Sequence, residues 1–255
     1  MLPGGLVEGF DLDGEQISLA RRRARQSGAS GLRFTEGDAL DLAERPDGSF
    51  DRAICQALLV HQARPGQALA EMARLVAPGG LVAAVEPDFT RDAQGPDDDL
   101  VPPDTAARRA AMRLTLAEAA AQLGLGCWNA GARLPELFAQ ADIEVLRSWP
   151  VPTLRLTSAD PAGRAWAAEL EAATHPEAVE AELRPWGDLF LQAGGEPARW
   201  QQHVQDEEIL ASQRRRRLAS GQPLPPWSPP LTVCVGRAAP PATIAPRRTG
   251  AERGP

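Results

Sequence analysis

The sequence predicts an α/β protein whose core is a mostly parallel sheet flanked by helices. Three observations carry that expectation. Short apolar runs alternate with amphipathic stretches through the first half of the chain, the pattern of successive strand-helix units. Several of those runs end in an acidic residue followed by a turn, where a parallel strand hands over to a loop or helix. With 255 residues and 43% hydrophobic content, the chain is long and apolar enough to bury a core of that kind.

Leu6 to Phe10 reads as the first strand and ends at Asp11. Asp13, with Gln16 three residues on, has the form of a capping box, and Ile17, Ala20 and Ala24 continue a helix that Ser27-Gly28 stops. Leu32 to Thr35 is a second short strand leading to Glu36-Gly37-Asp38, and Phe50 to Cys55 is a third. Its Ala53-Ile54-Cys55 run suits a strand buried on both faces. Leu69, Met72, Leu75 and Val76 fall at helical spacing, which Pro78-Gly79-Gly80 is expected to close before a fourth strand at Leu81 to Val85.

The character then changes. Asp97-Asp98-Asp99 and Pro102-Pro103 mark a loop, and an Ala-rich helix is expected from about Thr105 to Leu123. Ile143 to Leu146 reads as a strand, extending toward Leu156, and residues 161 to 218 read as helical with Trp166, Trp186 and Trp200 on polar segments. Trp227 and Pro229-Pro230 lead into a last strand at Leu231 to Val235. The domain expectation is a partial core at 1–95, a helical insertion at 96–140, the rest of the sheet with a helical cap at 141–238, and a disordered tail at 239–255.

A net charge of −7 argues against non-specific nucleic-acid binding and against an anionic membrane surface, both of which need a basic face. A small-molecule partner is the expectation. No stretch approaches the roughly 18 apolar residues of a membrane span, and the first residues lack the pattern of a secretory signal, so the expected location is the cytoplasm. Cys55, Cys127 and Cys234 are scattered without metal-ligand spacing, so neither a disulfide framework nor a zinc site is expected.

The order of four landmarks is the informative motif. Val7-Glu8-Gly9-Phe10-Asp11 is followed by Glu36-Gly37-Asp38-Ala39-Leu40-Asp41-Leu42, then by Phe50-Asp51-Arg52-Ala53-Ile54-Cys55, then by Pro78-Gly79-Gly80 and a strand ending at Glu86. That order resembles the class I, Rossmann-like S-adenosylmethionine-dependent methyltransferases, closely over residues 6–88 and loosely at 132–150 and 226–237. The resemblance implies S-adenosyl-L-methionine as cofactor. It implies that Asp11, with Leu12 beside it, holds the ribose, that Asp38 and Ala39 meet the adenine, and that Cys55 and Gln56 face the methionine part. Carboxylates suit the first two tasks because they only accept hydrogen bonds and a nucleoside offers donors.

Glu86 and Asp88, at a strand's C-terminal end where open α/β sheets bind ligands, are candidates to line the substrate pocket. His61 is a weak candidate base, because displacement at a sulfonium needs proximity and alignment first and a base only when the acceptor must lose a proton. The family's first strand and its Gly-x-Gly-x-Gly loop have no counterpart before Leu6. The expectation is therefore an N-terminally truncated member, a sheet lacking its first strand with helical lid insertions. The alternative is a degenerate, non-catalytic binding domain. A nicotinamide-dependent oxidoreductase would not need Gly37-Asp38-Ala39 and would be expected to show Ser, Tyr or Lys catalytic groups; the absence of Tyr and Lys counts against it.

Overall fold

The computed structural model describes residues 5–90, 100–151, 172–222 and 230–239. The expectations placed on Asp97 to Asp99, on the strand beyond Val151, on Trp166, on Trp227 and on the tail from Pro240 lie outside the described residues.

The first unit runs strand, helix, strand: β1 (Val7–Asp11), α1 (Gly14–Gln26) and β2 (Leu32–Glu36). Asp13 caps α1 from an extended backbone, its carboxylate accepting from the Glu15 amide at 2.7 Å rather than from Gln16. Arg23 and Arg25 in the last turn complement the negative end of the helix. β1 and β2 pair in parallel from Val7 opposite Leu32 to Asp11 opposite Glu36, and the Arg21 guanidinium on α1 donates to the Phe34 carbonyl at 2.6 Å, pinning the helix over the pair.

The second unit is β3 (Phe50–Gln56), a single 3-10 turn at Leu59–His61, α2 (Pro65–Leu75) and β4 (Val76–Pro87). β3 and β4 are parallel. The helix stops at Leu75, a residue sooner than the spacing suggests, and Val76 opens the strand opposite Phe50. Pro78-Gly79-Gly80 therefore sits inside β4 as an irregularity in register and does not cap α2. Gly79 takes φ +79°, and a Cβ on Gly80 would fall 2.6 Å from the Asp51 carbonyl, so side chains are excluded where β4 bends past β3.

Beyond β4 come α3 (Pro103–Gln122), α4 (Ala130–Gln140), β5 (Ile143–Val151), α5 (Pro176–Gln192), α6 (Pro197–Ala219) and β6 (Leu231–Ala238). The separate helix α4, which carries Pro135, was not legible as an element of its own in the sequence. β6 inserts antiparallel between β4 and β5, giving the order β3-β4-β6-β5, so the larger sheet is mixed. Among the described residues β1 pairs only with β2 and β3 only with β4. Ile54, at the centre of β3, is 73% exposed, against the expectation of a strand buried on both faces.

Two apolar clusters hold the molecule. The sheet cluster joins Leu59, Val60, Leu69, Val82, Leu134 and Phe138 with the three cysteines. The helical cluster joins Met112, Leu116, Leu189 and Phe190 across α3 and α5. Trp128, in the loop before α4, packs against both, and its ring meets Trp186 of α5 edge-on at 4.8 Å. α3 and α6 are also cross-tied by two forked pairs: Arg108 holds Asp206 at 2.7 and 2.8 Å, and Arg109 holds Glu207 at 2.7 and 3.2 Å.

Candidate functional site

Parallel strands direct their C-terminal ends to one edge, and the acids singled out in the sequence stand there. Asp11 closes β1, and its carbonyl accepts the Gly37 amide at 2.9 Å, which brings the exits of β1 and β2 to one level. Its side chain is exposed, with Oδ1 accepting from the Asp13 amide at 2.9 Å. Leu12 is 72% exposed. One turn after β2, the exposed Asp38 accepts the Leu40 amide at 2.9 Å through Oδ1, and Ala39 is half-buried. In each carboxylate the second oxygen remains available to a ligand donor.

The Asp38 loop is held from behind by residues that sequence reasoning missed. Glu71 of α2 accepts the Leu42 amide at 2.7 Å, and Arg74 donates to Glu71, to the Leu42 and Arg45 carbonyls and to Asp47. Arg74 holds the Glu71 carboxyl below the usual carboxylate range. The signal was the Glu71, Arg74 spacing of three on the polar face of α2.

At the end of β3 the two candidates part company. Cys55 is buried, and desolvation pushes its thiol far up, so it presents no nucleophile, whereas Gln56 is exposed. His61 is exposed and follows two fully buried residues, Leu59 and Val60. The structure places the expected pocket residues Glu86 and Asp88 in the interior, at 0% and 1% exposure. Glu86 turns inward to accept backbone amides from Leu58 at 2.9 Å, Leu59 at 3.0 Å and Val60 at 3.1 Å. Asp88 accepts both the amide and the hydroxyl of Thr90. Neither carboxylate is among the residues lining the cavity beside β1.

A cavity of about 260 Å³ opens beside β1, lined by Gly9, Phe10, Asp11, Ile17 and Phe34 among others. It takes in Asp11 but not Asp38. The absence of a side chain at Gly9 leaves part of this space, since a Cβ there would lie 2.9 Å from the Phe34 ring. The smaller and larger sheets meet through Phe10 and Phe50, whose rings pack edge-to-face at 6.4 Å. The 124–129 loop lies across the exits of β3 and β4: the Cys127 amide donates to the Val60 carbonyl at 2.9 Å and the Phe89 amide to the Trp128 carbonyl at 3.0 Å.

This arrangement of strand-end acids coincides with a match of residues 2–84 to the family model described as a methyltransferase domain. Over that segment, about a third of its length, the chain is similar to the methyltransferase domain family. Over 84 residues the chain is 38% identical to the demethylmenaquinone methyltransferase of Thermus thermophilus, a stretch covering 33% of the chain and 37% of that protein. Over 79 residues it is 35% identical to a ubiquinone biosynthesis O-methyltransferase of Burkholderia orbicola, covering 31% and 34%. An uncharacterized transposon-encoded protein of Streptomyces fradiae is 39% identical over 87 residues, covering 34% of the chain and 24% of that protein. The match thus spans well under half the length of these relatives. Among solved structures, a candidate methyltransferase from Bacillus halodurans superposes with a TM-score of 0.50 at 13% identity, covering 92% of the chain and 83% of that protein, a likeness of fold. Among the described residues no helix is long and apolar enough to cross a membrane, and no group of three or more His, Cys, Asp or Glu could hold a metal ion.

Proposed function

We propose that the chain binds S-adenosyl-L-methionine at the exits of β1, β2 and β3 and takes part in transfer of its methyl group to a small-molecule acceptor. The observation that carries the reading is the alignment of Asp11 with the Asp38 loop inside the segment that matches the methyltransferase domain. The residues fit such a cofactor. Asp11 would accept from the ribose hydroxyls and Asp38 from the adenine amine, each with a carboxylate oxygen left over after its local amide. Gln56, exposed at the end of β3, would face the methionine part; Cys55 serves as packing beneath it.

The cofactor supplies an electrophilic methyl group, so the protein's share of the chemistry is alignment of donor and acceptor and exclusion of water. His61 is the exposed residue beside that end able to take a proton from a hydroxyl acceptor. The relatives named above methylate demethylmenaquinone or act in ubiquinone biosynthesis. Their similarity covers only about a third of this chain, the part assigned here to cofactor, so their acceptors are candidates to assay.

Calorimetric titration with S-adenosylhomocysteine tests the reading. A saturable isotherm is expected, weakened in Asp11→Ala and in Asp38→Ala by about 10- to 100-fold each, the equivalent of losing a charge-assisted hydrogen bond. A flat titration of the folded chain, or variants that bind like the parent, would refute it.

A further inference from the structure

We infer that Glu86 is a positioning residue: its buried carboxylate clamps the exit turn of β3 through three backbone amides and so sets where Gln56 and His61 point. The inference rests on the cofactor reading for the identity of the ligand, and on the geometry alone for the clamp.

Glu86 sits near the end of β4, adjacent to the end of β3, and none of its surface reaches solvent. A buried carboxylate is costly unless its lone pairs are satisfied, and among the described residues no ion pair to Glu86 is formed, with the His61 ring adding only a minor electrostatic influence. Here the charge is met by main chain: Oε1 accepts from Leu58 and Leu59, and Oε2 accepts from Val60. The Cys55 thiol adds a weak, long contact to Oε1 at 3.8 Å. Desolvation raises the Glu86 carboxyl above its ordinary range, and the three amides oppose that rise.

The turn it holds would not keep its shape unaided. Ala57 takes φ +49°, a left-handed backbone that a residue with a Cβ adopts only when its surroundings impose it. The Ala57 amide bonds to the Val85 carbonyl at 2.9 Å, so β4 grips the turn with its backbone at residue 85 and with its side chain at residue 86. From the other side the Cys127 amide takes the Val60 carbonyl. Gln56 and His61 are the exposed residues flanking this gripped segment: Gln56 is laddered opposite Val85, and the His61 amide donates to the carbonyl of the clamped Leu58 at 3.1 Å. Their placement is inherited from the carboxylate beneath them. Glutamine at 86 keeps the shape but replaces one acceptor oxygen with an amide NH2 group, a donor that faces a backbone N–H and repels it.

Amide hydrogen exchange and binding, read on the same proteins, test this. In the parent chain the amides of Leu58, Leu59 and Val60 are expected to be strongly protected; exchange at the rate of open loops would overturn the clamp without any variant. In Glu86→Gln, and in the apolar near-isostere Glu86→Met, protection at 58–60 is expected to fall at least tenfold while the α4 amides change little. S-adenosylhomocysteine binding is expected to weaken by on the order of tenfold, about 1.4 kcal/mol. Lost protection with unchanged binding would overturn the positioning role. Failure of both variants to melt cooperatively would also overturn it, because Glu86 would then be a folding determinant. If the parent chain binds no S-adenosylhomocysteine, the cofactor reading fails and the exchange data still decide whether the clamp exists.

Discussion

Gly126→Ala isolates the contact between the 124–129 loop and the exit of β3. Gly126 has φ +137°, and a Cβ added there would lie 2.3 Å from the Val60 carbonyl oxygen and 3.3 Å from the His61 Cα. Carbon and oxygen normally approach no closer than about 3.3 Å, so loop and turn must part by roughly 1 Å. The separation stretches the 2.9 Å bond from the Cys127 amide to the Val60 carbonyl, worth about 1 kcal/mol. Placing a non-glycine residue at that φ costs on the order of 1 to 3 kcal/mol more. The expected destabilisation is therefore about 2 to 4 kcal/mol, or a fall in Tm of roughly 5 to 15 °C for a chain of this size. Gly79→Ala is the internal control: φ is +79° and no atom lies within 4 Å of the added Cβ, so only the left-handed backbone penalty of roughly 1 to 2 kcal/mol applies. Urea unfolding followed by far-UV dichroism and by tryptophan fluorescence gives both values. Equal destabilisation of the two variants would refute the proposed contact.

Phe138→Ala, which empties a fully buried site between α4 and the sheet, should cost about 3 to 5 kcal/mol by the same unfolding assay. The buried His203 of α6 faces Trp200, Asp206 and Glu207 on its own helix and Arg109 and Arg113 on α3, and burial holds its pKa below the usual value. Because the unfolded chain binds that proton more readily, stability should be full above about pH 6.5 and fall as pH drops through the lowered folded value. Comparing melts at about pH 7.5 and about pH 5.5 tests this, the pH 5.5 point lying above the ordinary range where carboxylates protonate; His203→Leu should flatten the dependence. Cys55, Cys127 and Cys234 are all buried, and desolvation raises their thiols, so the native protein should react with a thiol reagent far more slowly than the urea-unfolded chain, which should release all three.

The strand-helix-strand rhythm of residues 6–88 was legible because each element carries a local signal: the acid at the end of β1, the Asp13 cap, the buried run of α2. What escaped depends on partners distant in sequence. Glu86 looked like a pocket residue because strand-end acids often are, and only the fold shows the amides of residues 58–60 turned toward it. Pro78-Gly79-Gly80 resembled a helix stop, but pairing of Val76 with Phe50 extends the strand back through it. Exposure of Ile54 was equally invisible, since composition reports how apolar a strand is and not what covers it. The antiparallel insertion of β6 was beyond reach of periodicity, which does not encode strand direction. Asp11 and Asp38 stand where the landmarks implied, at the strand exits, although the cavity beside β1 includes only the first.

Trp128 belongs to the packing of two clusters at once, with Trp186 set edge-on against it 4.8 Å away. The indole pair is therefore a built-in ruler for the distance between the helical layer and the sheet. Trp186 is already 38% exposed, so any movement of α5 away from the loop before α4 lengthens that spacing and wets the Trp128 ring. Such a movement carries an optical signature native to the chain, readable without a label.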